Sequence, residues 1–241
     1  LCLWCHRSPA SKAHFCSKTC ALAAEAQGPI LLEVLNGHDT FKNVEGQFNR
    51  SWRHDDKPRP IVRRIYKVIL SQSSEAAYSQ YRSSIEARGK FLASGMSAGN
   101  ENRRWHGTRR ECTVGDDGNT TLCNSSTCPL CSIIQTSYDV GKCKAGSSFE
   151  RFGAGIYTSS TSSKSHDYAK NGSKSPLKAI LLNKVVVGNG YKLRTGNSNL
   201  KAPPSGFDSV LGETGKDLNY DELVIYRNDA IRPSFLVLYD A

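Results

Sequence analysis

The sequence predicts an α+β protein whose core is a mostly antiparallel β-sheet with flanking helices, joined to a small cysteine-rich module. Three observations predict this class. Helical and strand-like stretches occur in blocks along the 241 residues rather than in βαβ alternation. The clearest strand-like stretches lie in the C-terminal half. Four cysteines crowd together at the start of the chain, before the first of those strands.

The composition suits one substantial domain plus a small module. Hydrophobic residues make up 38% of the chain and aromatic residues 9%, as in folded rather than disordered proteins. No apolar run of about 18 residues and no secretory signal is visible, so we expect no membrane partner. The formal net charge of +10 favours polyanionic partners, such as nucleic acid or a dinucleotide, although good solubility explains it equally well.

The first module, residues 1–27, carries four cysteines with the spacing of metal ligands. They follow the pattern C-x2-C-x10-C-x3-C and are Cys2, Cys5, Cys16 and Cys20. Two close pairs of cysteines separated by a short loop suit tetrahedral zinc, because each pair can supply the two ligands at one edge of the tetrahedron. The alternative is a pair of disulfides in a secreted protein, and four Asn-x-Ser/Thr sequons keep that alternative open.

The module is expected to end in a short helix over residues 17–28. Ser17 would cap this helix, and Gly28-Pro29 would stop it. The next segment, residues 28–58, is predicted to link the module to the main domain. Its scattered apolar residues indicate that it docks on that domain.

The main domain is predicted to occupy residues 59–241. Its first element, at 59–70, alternates as a strand does. A helix is then expected over 73–92, with Ser73 or Ser74 as its cap. The apolar stripe of that helix would consist of Ala77, Tyr78, Tyr81, Ile85 and Leu92.

The rest of the main domain is predicted to be mostly strands. The clearest candidates are residues 102–108, 179–193 and 221–241, and the last of these is predicted to fold as a hairpin around the sequence RNDAIRP. A cysteine-rich insertion interrupts the domain at 112–131. We expect no internal repeat.

The insertion is rich in turn residues and contains a second group of four cysteines. They are Cys112, Cys123, Cys128 and Cys131. A polar loop with so little apolar content needs something to hold it in place, and a second structural zinc ion would do so. Cys143 is either a spare thiol or a replacement ligand for Cys112.

Three short motifs are candidates for the functional site. One is WHGT, in which His106 closes a strand before Gly107. Another is FGAGIY at 152–157, and the third is NYDELVIY, with Glu222 at the start of a strand. Taken singly, each motif is more often an ordinary strand end, a turn or a solvated carboxylate.

Together, in this order, the motifs resemble the catalytic domain of the poly(ADP-ribose) polymerase and diphtheria-toxin-like ADP-ribosyltransferase family. The residues that match are His106-Gly107-Thr108, Phe152-Gly153-Ala154-Gly155-Ile156-Tyr157, Ser163-Lys164-Ser165 with Tyr168, and Glu222. The resemblance covers about residues 60–241. It implies a split antiparallel sheet, NAD as the substrate, and transfer of ADP-ribose to an acceptor with release of nicotinamide.

The resemblance also implies which residues hold the nicotinamide. The backbone of Gly107 and the hydroxyl of Ser165 would bind the carboxamide, because a glycine lets the backbone approach a ligand closely. Tyr157 and Tyr168 would stack on the two faces of the ring. Thr108 stands where the family often has serine, and its hydroxyl would serve similarly.

Two residues would act on the riboses. The resemblance implies that His106 hydrogen-bonds the adenine-ribose 2′-hydroxyl. Glu222 would bind the nicotinamide-ribose 2′-hydroxyl and stabilise the oxocarbenium-like charge that develops when the nicotinamide bond breaks. In family members with this glutamate chain elongation is possible, but the residue alone does not establish it, and we expect transfer of single ADP-ribose units here rather than polymer synthesis. Thus His106, Tyr157 and Glu222 form the expected catalytic set.

Other functions remain open at this stage. The main alternative is a zinc-dependent nucleic-acid-binding protein with an inactive transferase-like fold. An RNA 2′-phosphotransferase and, if the cysteines form disulfides, a secreted toxin-like transferase are further possibilities. The insertion leaves the donor-loop region at 132–152 and the acceptor, a protein or a nucleic acid, undefined. We expect an intracellular protein, cytoplasmic or nuclear, with NAD and two zinc ions as its ligands.

Overall fold

The structure, a computed structural model, describes residues 1–10, 14–143 and 151–241. Its helices are α1 (Lys18–Glu25), α2 (Asp39–Arg50), α3 (Gln72–Gly89), α4 (Pro129–Thr136) and α5 (Ser162–Tyr168). Its strands are β1 (Ile30–Val34), β2 (Val62–Ile69), β3 (Glu101–Gly107), β4 (Arg109–Arg110), β5 (Ile156–Thr158), β6 (Lys170–Asn171), β7 (Leu177–Val186), β8 (Gly190–Leu193), β9 (Ser209–Gly212), β10 (Glu222–Ile225) and β11 (Ile231–Asp240). Part of the donor-loop region predicted at 132–152 lies outside the described residues.

The strands form two larger sheets and one short pair. Five strands in the order β1-β2-β11-β7-β3 make an entirely antiparallel sheet. Four strands in the order β5-β10-β9-β8 make the second sheet, in which only β8 and β9 run parallel. The strands β4 and β6 pair separately. The predicted α+β class with a split, mostly antiparallel sheet is confirmed.

Both faces of the five-stranded sheet are covered, because alternate residues of its strands point to opposite sides. One face packs against α3 and α4 and joins the largest cluster of buried apolar residues. The other face packs against α2, with Phe41, Val44 and Phe48 buried, and against Leu3 of the N-terminal module. The central strand β11 is buried along almost its whole length.

The predicted helix of the N-terminal module is confirmed as α1. The side chain of Ser17 accepts a hydrogen bond from the backbone N–H of Cys20, as an N-cap residue does. The segment predicted to dock at 28–58 contributes β1 to the large sheet and α2 to its core. The domain limits themselves stay predictions.

The predicted helix at 73–92 begins and ends earlier than expected. Ser71 is the cap, and its hydroxyl accepts from the N–H of Ser74. After Gly89 the chain adopts a left-handed conformation at Lys90, which ends the helix. As a result Leu92 is 61% exposed and was wrongly included in the apolar stripe, as was Ala77. The other three members, Tyr78, Tyr81 and Ile85, are buried as predicted.

Two strand predictions in the C-terminal half were wrong, that for 221–241 in its pairing and that for 179–193 in its continuity. The predicted hairpin at 221–241 does not form, because β10 pairs with β5 and β9 whereas β11 pairs with β2 and β7. The stretch 179–193 is likewise divided between β7 and β8, which lie in different sheets. In each case a short link carries the chain from one sheet to the other. The strand predicted at 102–108 is confirmed as β3.

Candidate active site

Three strands bring the motif residues to one cleft between the two larger sheets. His106 lies near the end of β3, Tyr157 lies on β5 and Glu222 opens β10. The strands β5 and β10 are antiparallel neighbours. A two-way backbone bridge between Trp105 and Ser159, with N···O distances of 2.8 and 3.0 Å, fastens β3 beside them. The cleft holds a cavity of about 330 Å³.

Most of the site residues predicted from the sequence line this cavity. They are His106, Gly107, Tyr157, Ser165, Tyr168 and Glu222. Tyr168 is 49% exposed and therefore stands at the mouth, whereas Ser165 and Glu222 are buried. Within the described residues, Thr108 is not part of the lining. It lies between β3 and β4, where the chain leaves the cleft.

The ring of His106 is held in one tautomer and one orientation. Its Nδ1 lies 2.8 Å from the carbonyl oxygen of Tyr157, which can only accept, so Nδ1 carries the proton. Burial lowers the pKa of His106, so the imidazole is neutral near pH 7. Tyr138 packs edge-on against the ring, with centroids 5.2 Å apart. The remaining nitrogen, Nε2, therefore has a lone pair that can accept a hydrogen bond from a hydroxyl group.

Gly107 lets β3 pass very close to α5, the helix that carries Ser165 and Tyr168. A Cβ at this position would lie 1.8 Å from the carbonyl oxygen of Ser165. No side chain fits at that distance. The glycine therefore sets the spacing between the strand end and the helix, and with it the width of the cavity.

We expect Gly107→Ala to destabilise the fold by about 2–3 kcal/mol, because the added methyl group must push β3 and α5 apart. Urea unfolding would measure the loss. Gly46→Ala is the matched control: it lies in α2, and its Cβ would meet only the flexible end of Arg50, at 2.9 Å. That control should be neutral or slightly stabilising, since alanine favours a helix. A Gly107→Ala variant as stable as the control would contradict the close approach.

Tyr157 is anchored by the turn that precedes it. Its hydroxyl accepts from the backbone N–H of Phe152 and donates to the carbonyl of Gly153, both at 2.8 Å. Gly153 has φ of +74°, and a Cβ there would lie 1.8 Å from the carbonyl oxygen of Leu200. The two hydrogen bonds fix the phenol, so its ring forms a rigid wall of the cavity.

Glu222 is paired with a lysine that the sequence analysis did not assign to the site. Its Oε1 lies 2.7 Å from Nζ of Lys164, and both side chains are largely buried. The same Nζ donates to the carbonyls of Tyr220 and Asp221, at 3.1 and 3.3 Å. Among the described residues, the other oxygen, Oε2, is buried without a hydrogen-bond partner. The lysine of the Ser-Lys-Ser motif was the signal that could have identified this pair.

The serine- and threonine-rich run after Tyr157 serves mainly to fasten the site. Asp221 accepts from the hydroxyl of Ser159, at 3.0 Å, and from the backbone N–H and hydroxyl of Ser160. The hydroxyl of Ser162 donates to the carbonyl of Phe48 in α2, at 2.8 Å. These bonds tie the segment before α5 to β10 and α2. They explain a run of small polar residues without assigning each of them to a ligand.

The opposite wall of the cavity comes from α4 and the residues just after it. Pro129, Ile133, Tyr138 and Lys142 line this side. The hydroxyl of Tyr138 donates to Asn183 of β7, at 2.7 Å, which fastens the wall to the large sheet. No sequence motif indicated this wall, because α4 begins inside the cysteine-rich insertion, at Pro129.

Both predicted cysteine groups converge in space. In each tetrad the four Sγ atoms lie within 4.8 Å of one another. Individual Sγ···Sγ distances include 3.8 Å for Cys5 and Cys16 and 3.6 Å for Cys112 and Cys131. Tetrahedral zinc with Zn–S bonds of about 2.3 Å requires sulfurs about 3.8 Å apart. Both tetrads fit a zinc ion. Cys143 belongs to neither among the described residues.

A split antiparallel sheet with a histidine, a tyrosine and a glutamate around one cleft is the arrangement of an ADP-ribosyltransferase. The family model of the poly(ADP-ribose) polymerase catalytic domain matches residues 38–241. The chain belongs to this family. Catalytic domains of the family use NAD as the donor of ADP-ribose, so membership implies NAD-dependent ADP-ribosyltransferase activity.

The match begins at residue 38, inside the segment that we predicted as a link, and leaves the first tetrad outside it. A comparison with curated proteins gave no match. None of the helices in the described residues combines the length and the apolar character that crossing a lipid bilayer requires.

Proposed function

We propose that this chain transfers single ADP-ribose units from NAD to a macromolecular acceptor and releases nicotinamide. The observation that carries the proposal is the buried carboxylate of Glu222 in the cleft. One of its oxygens is held by Lys164 at 2.7 Å, and the other is unpartnered among the described residues. A desolvated carboxylate of fixed orientation is suited to stabilise positive charge on a ribose.

In the proposed reaction, the bond between nicotinamide and ribose breaks and leaves an oxocarbenium-like cation on the ribose. Oε2 of Glu222 would accept a hydrogen bond from the 2′-hydroxyl of that ribose and stabilise the charge. Lys164, which also lines the cleft, positions the carboxylate. Nicotinamide leaves with the electron pair of the broken bond, and a nucleophile of the acceptor then forms the new bond to the anomeric carbon and gives up its proton to solvent.

The other lining residues would bind the two ends of NAD. The backbone of Gly107 and the hydroxyl of Ser165 would hold the carboxamide of nicotinamide, between the rings of Tyr157 and Tyr168. Nε2 of His106 would accept from the adenine-ribose hydroxyl, since its Nδ1 is already committed to a backbone carbonyl. Rigid, preorganised partners of this kind limit the entropy lost on binding.

The charge beside Glu222 supports transfer of single units. A second cavity of about 230 Å³ adjoins the cleft and shares Lys164, Tyr168 and Glu222 with it. Its other charged lining residues are Arg151, Asp167 and Asp217. Asp167 is already paired with Lys57, at 3.1 Å, and Glu222 with Lys164, so the cavity offers no excess of positive charge to bind the pyrophosphate of a growing ADP-ribose chain.

We also propose that each cysteine tetrad binds one structural zinc ion. The ligands would be Cys2, Cys5, Cys16 and Cys20 in the first site and Cys112, Cys123, Cys128 and Cys131 in the second. Zinc held by thiolates fits a reducing compartment, so we place the protein inside the cell, in the cytoplasm or nucleus.

Incubation with labelled NAD and a panel of proteins and nucleic acids tests the activity. We expect nicotinamide release, together with acceptors that carry one ADP-ribose per modified position in mass spectra. Label transferred as long polymers would contradict the single-unit proposal. No release of nicotinamide with any acceptor would favour the alternative of an inactive, nucleic-acid-binding protein.

Benzamide, which mimics nicotinamide, tests the pocket separately from the chemistry. A ligand that binds only the folded state raises the melting temperature according to its concentration and affinity. We therefore expect benzamide to raise the Tm of the protein. No shift at millimolar benzamide would contradict the nicotinamide pocket.

A further inference from the structure

A polar cavity of about 530 Å³ lies at the five-stranded sheet, beside α2, and shares no lining residue with the active cleft. Four cationic side chains converge on it, each from a different strand. They are Lys67 on β2, Arg232 on β11, Lys184 on β7 and Arg103 on β3. These four strands are consecutive neighbours in the sheet.

The strand register sets three of these cations directly opposite one another. Arg103 pairs with Lys184 on β7, and Lys184 pairs with Arg232 on β11. Lys67 pairs with Phe235, and its Nζ lies 5.2 Å from the centre of that ring. Like charges opposite one another across a sheet are destabilising. The arrangement therefore carries an energetic cost that the fold alone does not require.

Two of the four cations have carboxylate partners. Lys184 lies 2.9 Å from an oxygen of Glu101, and Arg232 lies 3.0 Å from an oxygen of Glu75. Even so, Nε of Arg232 is buried and has no hydrogen-bond partner among the described residues. The positive charge of this pair is compensated, but the hydrogen-bonding capacity of the arginine is not fully used.

The other two cations have only neutral partners. Arg103 donates to the side-chain oxygen of Asn43, at 2.6 Å. Lys67 donates to two backbone carbonyls, those of Val68 and Ser234, at 3.0 and 3.3 Å. Within the described residues, no carboxylate lies within 4.0 Å of the charged nitrogens of either side chain.

Burial makes the uncompensated charge costly. Lys67 is only 8% exposed, and burial together with the neighbouring Arg232 lowers the pKa of its ammonium to about 7. Burial also lowers the pKa of Arg103. A buried cation without an anionic partner destabilises the folded state. One carboxylate, that of Asp39, lines the cavity as well and opposes an incoming anion.

We propose that this cavity binds a phosphate group. The oxygens of a phosphate group would give Lys67 and Arg103 the anionic partner that neither has. They would also accept hydrogen bonds from several directions at once. Arginine and lysine together are the side chains that bind phosphate best, the first through its planar N–H groups and the second as a point charge. A nucleic-acid backbone and a free phosphate share this chemistry.

The cavity also lies at the seam between the N-terminal module and the large sheet. His14 of the module lines it, with Nδ1 3.2 Å from the hydroxyl of Thr40 in α2. The His14 ring meets the ring of Phe235 edge-on, at 5.7 Å. A phosphate bound here would contact both parts of the chain and hold the module in place. The first tetrad would then support a binding surface outside the active cleft.

Calorimetry with the full chain tests the proposal with two probes, inorganic phosphate and a short single-stranded DNA, at low ionic strength. The variants are Lys67→Met and Arg103→Gln. The control is Lys174→Gln, which removes one charge from an exposed lysine outside the cavity. We expect both cavity variants to bind at least about tenfold more weakly than the control. NAD affinity should be unchanged in all three.

The two probes identify the source of the phosphate. Binding of both probes, lost in both cavity variants, supports a site for any phosphate group. Binding of the DNA alone, lost in the same variants and weakening steeply with salt, assigns the site to a nucleic-acid backbone. Cavity variants that bind both probes as the control does would overturn the proposal, as would a wild-type protein that binds neither. Lys67→Met should be close to wild type in stability without phosphate, because removal of the buried cation offsets the loss of its hydrogen bonds to the carbonyls of Val68 and Ser234.

Discussion

Glu222→Gln should slow nicotinamide release by a factor on the order of 100 or more, about 3 kcal/mol in the barrier. The substitution keeps the size of the side chain but removes its negative charge. An amide stabilises an oxocarbenium-like ribose far less than a carboxylate does. The measurement is the rate of nicotinamide release at saturating NAD, with NAD affinity determined in parallel by calorimetry.

The fold should survive this change, because the glutamine oxygen can still accept from Lys164, whose Nζ also keeps its two backbone carbonyls. Glu213→Gln is the matched control. Glu213 pairs with Lys192, at 2.9 Å, on the exposed edge of the second sheet and lies outside the cleft. The Glu213→Gln substitution should leave turnover and NAD affinity unchanged.

Two outcomes would contradict the role of Glu222. Unchanged turnover in Glu222→Gln would mean that the carboxylate is a structural partner of Lys164 and does not stabilise the reaction. Lost NAD affinity with intact turnover would mean that the residue binds substrate without acting on the chemical step. NAD affinity itself should change little, because the proposed ring contacts are made by Gly107, Ser165 and the two tyrosines.

Cys131→Ser should remove one of two zinc ions, destabilise the protein by about 3 kcal/mol or more, and reduce NAD turnover at least tenfold. Cys131 is fully buried within α4, and Cys128, a member of the same tetrad, is the N-cap residue of that helix. Pro129 and Ile133 of the same helix line the active cleft. Loss of the metal therefore releases a wall of the NAD pocket.

Cys16→Ser is the matched control, since it removes one zinc ion from the first tetrad. That tetrad lies outside the family match and contributes no lining residue to the cleft. We expect the same metal loss but a much smaller effect on turnover. Cys143→Ser, which alters a thiol outside both tetrads, should leave two zinc ions per chain.

Elemental analysis of freshly reduced protein, urea unfolding and nicotinamide release measure the three quantities. Equal losses of turnover in Cys131→Ser and Cys16→Ser would show that the second tetrad has no special link to the pocket. Wild-type protein without zinc would rule out both metal sites at once.

The composition of the cleft was predictable because its residues are carried by short local motifs. The sequence His106-Gly107 closes a strand, and the hydroxyl of Tyr157 makes its hydrogen bonds within its own motif, to Phe152 and Gly153. Patterns of this kind are local in the chain, and the order in which they follow one another, which resembles that of the family, suggested the site although no single motif did. The cysteine tetrads were predictable for the same reason, since their spacing reflects the geometry of a metal.

The errors arose where a structure depends on partners far away in the chain. The stretch 221–241 alternates as a hairpin would, but nothing local shows that its two strands enter different sheets. The pair of Lys164 and Glu222 joins residues of separate motifs, and the wall formed by α4 is distant in sequence from β10. The helix end at Gly89 depended on the left-handed turn at Lys90, which lysine seldom adopts.

The central position of β11 bears on how this protein is made. In the order β1-β2-β11-β7-β3, the middle strand is the last of the five to leave the ribosome. Until β11 is made, the β1-β2 pair and the β7-β3 pair are not joined. The long apolar strands β2 and β7 then each have one edge whose backbone groups lack a pairing partner. Such edges pair readily with other chains. We therefore expect the nascent protein to need chaperones, and chains cut short within 231–240 to aggregate rather than fold.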